Sequence, residues 1–108
     1  MPRKQPGKFM KGGHAVIILR SGQVITKARI TEKSMRVATS DLGTLTFKLE
    51  QISTIVYKNL PNFPTDLLRT VGGSEINGEV LNDPVHVEAE DLGGAAEIAR
   101  ARIINITF

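Results

Sequence analysis

The chain of 108 residues contains no cysteine, no tryptophan and one tyrosine. Without cysteine there is no disulfide staple, no thiolate metal site and no cysteine nucleophile, and the redox compartment leaves no mark on the sequence. With four phenylalanines and one tyrosine as its whole aromatic content, the core has to be aliphatic. No apolar run approaches the roughly 18 residues of a membrane span. Residues 1–13 carry no apolar segment of the kind a secretory signal needs. By default, such a chain is expected in the cytoplasm. What is present is globular: 41% hydrophobic and 23% charged residues, within the range of packed domains. The length fits one compact domain or two very small ones.

The organising feature is a repetition. Met-Arg-Val-Ala-Thr-Ser-Asp-Leu-Gly at residues 35–43 returns as Val-His-Val-Glu-Ala-Glu-Asp-Leu-Gly at residues 85–93. Met35 matches Val85, Val37 matches Val87, Asp41 matches Asp91 and Gly43 matches Gly93. Upstream, Ala28 falls on Gly78 and Ile30 on Val80; downstream, after a one-residue slip, Ile52, Ile55 and Tyr57 fall near Ile103, Ile106 and Phe108. Self-similarity at such a period marks a repeated supersecondary unit. The division is a basic tail over 1–14, a first repeat over 15–58, a linker over 59–66 and a second repeat over 67–108. The tail is expected to be mobile. In the linker, with its Pro61 and Pro64, Phe63 is the apolar anchor.

The local pattern is β throughout. Residues 15–20 form a short apolar run bounded by Gly13 and Gly22, as a buried strand does. Residues 23–31 alternate Val24, Ala28 and Ile30 against Ile25, Lys27 and Arg29. Residues 34–40 put Met35 and Val37 on one face, and residues 44–49 put Leu45, Phe47 and Leu49 inward. Ser40-Asp41-Leu42-Gly43 predicts a hairpin loop with glycine at positive φ, and Asp91-Leu92-Gly93-Gly94 its counterpart. Residues 95–104 are the stretch where a helix could intrude, since Ala and Arg favour helix. Five short strands in each copy predict an all-β protein of two tandem, five-stranded small barrels packed together. A single β-sandwich of two sheets is the alternative.

Each repeat resembles the Sm-like family of small barrels. The resemblance is carried by Leu19-x-x-Gly22, Ala28, Met35, Gly43 and Ile52-x-x-Ile55 in the first copy. In the second it is carried by Gly73, Gly78, Val85, Gly93 and Ile103-x-x-Ile106. The pattern is equally similar to a β-repeat of exported bacterial proteins without an assigned role. These are apolar and glycine positions, which specify a fold rather than an activity. The family's RNA pocket does not carry over: Arg36 follows Met35, and Glu50-Gln51 occupies the late turn. The resemblance does imply oligomers, because such barrels form rings through edge strands.

No reaction chemistry is legible. His14 and His86 fall at unmatched positions of the repeat. Asp41 and Asp91 sit where turns favour Asp, and Ser40 has no base near it in sequence. Gly12-Gly13 and Gly72-Gly73 lack the Lys-Ser/Thr of a phosphate loop. Glu88, Glu90 and Asp91 lack the spacing of a calcium loop. No enzyme, cofactor or metal is expected.

The charge is unevenly spread. Residues 1–14 hold Arg3, Lys4, Lys8 and Lys11 with no acid; residues 15–58 hold seven bases and three acids; residues 59–108 hold three bases and eight acids. Lys27, Arg29, Arg36 and Lys48 are expected on the solvent face of consecutive strands, and Glu79, His86, Glu88 and Glu97 on the comparable face of the second copy. Ordinary solvated faces mix signs, so segregation points to a partner. The first expectation is a non-enzymatic module that self-assembles head to tail, basic copy on acidic copy, into a ring or filament. Its contact residues are Ile18, Arg29, Glu79, Glu88, Ile104 and Phe108. The apolar edges Val16–Leu19 and Ile103–Phe108 are expected to be open for strand addition. The second is RNA or single-stranded nucleic-acid binding by Arg3, Lys4, Lys8, Lys11, Lys27, Arg29, Arg36 and Lys48.

Overall fold

A computed structural model describes residues 14–59, 62 and 64–108. Its strands are β1 (His14–Leu19), β2 (Val24–Ile30), β3 (Ser34–Ala38), β4 (Thr44–Lys48), β5 (Ile52–Val56), β6 (Asp66–Thr70), β7 (Glu75–Val80), β8 (Val85–Ala89), β9 (Gly94–Ile98) and β10 (Ile103–Thr107). Among the described residues there is no α-helix, only three-residue 3₁₀ turns at Leu49–Gln51, Glu90–Leu92 and Arg100–Arg102. The protein is all-β, and residues 95–104 are strand and 3₁₀ turn rather than helix. Phe63 and residues 1–13 of the basic tail lie outside the described residues, and the tail's last expected residue, His14, opens β1.

The ten strands form one antiparallel sheet in the order β4-β3-β7-β6-β5-β10-β1-β2-β8-β9. Exchanging each strand for its repeat partner turns this order into its own reverse, so the sheet has an internal pseudo-twofold between β5 and β10. The copies do not lie side by side as two self-contained barrels. β3 pairs with β7 of the other copy, and β8 pairs with β2. Each copy thus hands its third-and-fourth-strand hairpin to the other. The two crossings are fastened alike: Leu81 N–H donates to Arg36 O at 2.8 Å, and Thr31 N–H donates to His86 O at 2.9 Å. Side chains at matching positions extend the clamp. Asn82 Oδ1 accepts from Arg36 N, and Glu32 Oε1 accepts from His86 N.

The expectation that β1 and β10 are open edges is overturned. They pair with each other over Val16–Leu19, and each has a second neighbour, β2 for β1 and β5 for β10. Strands apolar on both faces belong in a sheet interior, and here each copy supplies the other's neighbour. The open edges are β4 and β9.

Ile17, Ile30, Met35, Ile55, Leu68, Ile103 and Ile106 are buried to within 1% of complete and join one aliphatic cluster. Among the described residues no helix covers them. Each such side chain contributes about 1.5–3 kcal/mol. The phase expected for β2 is corrected at its start, since Val24 is exposed and Ile25 buried. Between Ala15↔Ala28 and Ile17↔Ile25, β2 carries one residue more than β1. A bulge of this kind flips the alternation.

Gly43 and Gly93 turn the two exchanged hairpins at φ 73° and 77°. Gly43→Val and Gly93→Val are each expected to cost about 1–3 kcal/mol from backbone strain alone, since no atom lies within 4 Å of an added Cβ at either site. Chemical denaturation of the two variants measures it.

Candidate functional site

The buried polar chemistry of the second copy collects where β5, β6 and β7 meet. Asp66, at the head of β6, is 2% exposed. One carboxylate oxygen accepts Lys58 N–H at 2.7 Å and the other accepts Val80 N–H at 2.8 Å. The Val80 peptide is held from its other side as well, because Arg100 Nη1 donates to Val80 O at 2.5 Å. Arg100 Nη2 continues to Glu79 Oε2 at 2.8 Å. That hydrogen bond holds the Glu79 carboxyl below the usual carboxylate range and raises the Arg100 guanidinium further. Arg20, just past β1, reaches in from the other copy, with Nε donating to Ala101 O at 2.9 Å and Nη2 to Lys58 O at 2.5 Å. Arg20, Asp66 and Arg100, together with Tyr57, Lys58, Asn59 and Ala101, line a pocket of 270 Å³. Burial, and then the nearby Asp66 carboxylate, push the Tyr57 hydroxyl well above its ordinary range, so it stays protonated. None of this centre was expected from the sequence, in which Asp66 and Lys58 fall at linker and strand ends. The discoverable signal was the break in the repeat: Asp66 stands where the first copy has Ala15, and Tyr57 where the second has Phe108.

A second cluster fastens the β8–β9 hairpin. His86 Nδ1 meets Glu32 Oε2 at 2.5 Å and Nε2 meets Glu97 Oε2 at 3.3 Å. Both partners are acceptors, so both ring nitrogens have to carry protons for both contacts to count. The hydrogen bond to Glu32 raises the His86 pKa above its ordinary 6.5. A base raised in the folded state lends stability below its unfolded pKa, and that contribution is lost as pH rises through the folded value. Protection of the β9 amides, taken relative to intrinsic exchange at each pH, is therefore expected to be greatest below about pH 6.5 and to fall above the folded pKa. His86→Gln should flatten that protection profile; an unchanged profile would contradict the clamp.

Of the expected nucleic-acid residues, Arg3, Lys4, Lys8 and Lys11 lie outside the described residues. Lys27, Arg29, Arg36 and Lys48 are exposed as expected, but they do not form one face. Lys27 and Arg29 are on β2, while Arg36 and Lys48 are on β3 and β4, with five strands between them in the sheet order. Of the expected contact residues, Ile18, Ile104 and Phe108 are half-buried, the first two within the β1–β10–β5 centre of the sheet. Arg29 pairs with Glu88 across β2–β8, and Glu79 pairs with Arg100. The Arg29–Glu88 pair joins the basic copy to the acidic one inside a single chain, because the exchanged β8 lies beside β2, whereas Glu79–Arg100 lies within the second copy. Among the described residues no group of three His, Asp or Glu side chains is placed to hold a metal ion. Nor is any helix long and apolar enough to cross a membrane.

No family model, no curated protein and no solved structure matches the chain.

Proposed function

We propose that the protein is a non-enzymatic interaction module that assembles with copies of itself by strand addition between β4 of one subunit and β9 of the next. The observation that carries this reading is the pair of unpaired edges left at the two ends of one sheet. Edges of soluble proteins are normally blunted by lysine, proline, bulges or a covering element. β9, Gly-Ala-Ala-Glu-Ile, offers one charge and little side-chain bulk against backbone approach. β4, Thr-Leu-Thr-Phe-Lys, carries its charge at the end and keeps Leu45 and Phe47 half-buried. Lys48 at one edge and Glu97 at the other give the contact a direction. Head-to-tail repetition closes a ring or extends a filament. The resemblance to small barrels that associate through edge strands points the same way.

Sedimentation at low and high salt tests it. The expected result is a species larger than a dimer that shrinks as salt rises. Lys48→Glu should release smaller species, and Lys48→Glu combined with Glu97→Lys should restore the larger one. A monomer at every salt concentration, indifferent to both substitutions, would rule the assembly out.

A further inference from the structure

We propose that the pocket walled by Arg20, Tyr57, Lys58 and Arg100 is a binding site for a small oxyanion, a carboxylate or a phosphate group. Its charge is the first reason. Three cationic side chains and one carboxylate, Asp66, line it. Both Asp66 oxygens already accept backbone amides.

The second reason is donor capacity. A guanidinium carries five N–H groups in a fixed fork that suits carboxylate and phosphate oxygens. Arg20 commits two of them, to Ala101 O and Lys58 O, and Arg100 commits two, to Val80 O and Glu79. Those bonds fix both side chains in place and leave donors over, so the site is pre-arranged rather than assembled on binding.

The third reason is independent of charge. The Tyr57 hydroxyl is buried and has no hydrogen-bond partner, in a residue 2% exposed that lines this pocket. Buried hydroxyls are nearly always paired. A protonated phenol has a hydrogen to donate, and an anion drawn in by the arginines supplies the acceptor.

Size and asymmetry narrow the choice. At 270 Å³, the pocket falls just below the range of drug-sized ligand sites, about 300–1,000 Å³, so the ligand is a small molecule and not a polymer. At the matching positions of the other copy stand Val71 for Arg20, Phe108 for Tyr57, Ala15 for Asp66 and Leu49 for Arg100. They supply neither the tyrosine nor any positive charge. One of two otherwise equivalent positions has acquired the complete set.

The test is the melting temperature of the full chain in inorganic phosphate, in acetate and in chloride at equal ionic strength. Binding to the native state alone raises it in proportion to the logarithm of ligand concentration. Phosphate or acetate, or both, should raise it where chloride does not, and the more effective of the two identifies the group recognised. Tyr57→Phe should melt no lower than the parent without ligand and lose about tenfold or more in oxyanion affinity. Lys58→Gln should weaken the same response. Equal melting in all three salts would overturn the proposal. So would a Tyr57→Phe variant that melts lower yet keeps the full response, since the hydroxyl would then be serving the fold.

Discussion

Gly78→Ala is expected to destabilise the protein by about 3 kcal/mol or more, lowering the melting temperature on the order of 12–24 °C for a domain of this size. A methyl group at this position would lie 2.3 Å from the carbonyl oxygen of Ala38 and 2.9 Å from Cγ1 of Val37. Neither is the loose end of a long side chain. The oxygen belongs to β3 where it crosses β7, in the register Val37↔Val80 and Ala38↔Glu79. Moving it separates the exchanged hairpin from its acceptor strand and strains a core that tolerates overpacking poorly. The matching residue, Ala28, shows that the β2–β8 crossing accommodates the methyl group that the β3–β7 crossing cannot. Gly72→Ala provides the control, because the atom nearest its added Cβ is Thr70 Oγ1 at 3.8 Å. It should leave the melting temperature nearly unchanged. Equal melting of the two variants would mean that β3 and β7 do not approach as closely as described.

Asp66→Ala is expected to cost about 3 kcal/mol, because two backbone amides, of Lys58 and Val80, are left without acceptors and each buried unpaired donor costs about 1–3 kcal/mol. The loss reaches beyond the β5–β6 junction. With Val80 N–H released, Arg100 grips only the carbonyl side of that strand end. Asp66→Asn retains one oxygen acceptor and should lose about half as much. Thermal or chemical unfolding of the two variants should therefore rank them parent, Asn, Ala. If Ala matched the parent, the carboxylate would not be holding the strand ends.

The strands were legible in the sequence because the forces that set them are local. Met35 and Val37 alternate with exposed Arg36, and Val85 and Val87 with exposed His86, so the inward face could be read from period alone. Gly43 and Gly93 announced their hairpins because other residues seldom tolerate positive φ. Which strand pairs with which was not legible. A meander and an exchange of hairpins present the same alternation to a reader of one chain. The choice falls to long-range contacts such as Leu81 N–H to Arg36 O. The misplaced edges and the misjudged charge faces share that origin. Arg29 and Glu88 look like two surfaces seeking partners until β2 and β8 are known to be neighbours. The polar pocket was hidden for a different reason. Its residues come from four separate segments, and only the departures of Asp66 and Tyr57 from the repeat set them apart.

The pairing of β1 with β10 also governs the order in which the protein can form during synthesis. β1 has one of its neighbours in β10, the last of the ten strands among the described residues. β2 waits for β8, and the β3–β4 hairpin waits for β7. Hairpins can close as they appear, but the sheet centre cannot be completed until Ile103–Thr107 have left the ribosome. Contacts of such wide sequence separation slow folding and lengthen the interval in which apolar strands stand unpaired. A chain stopped before residue 103 would lack the strand that joins the two halves of the sheet, leaving Val16–Leu19 and Ile52–Val56 each short of one neighbour.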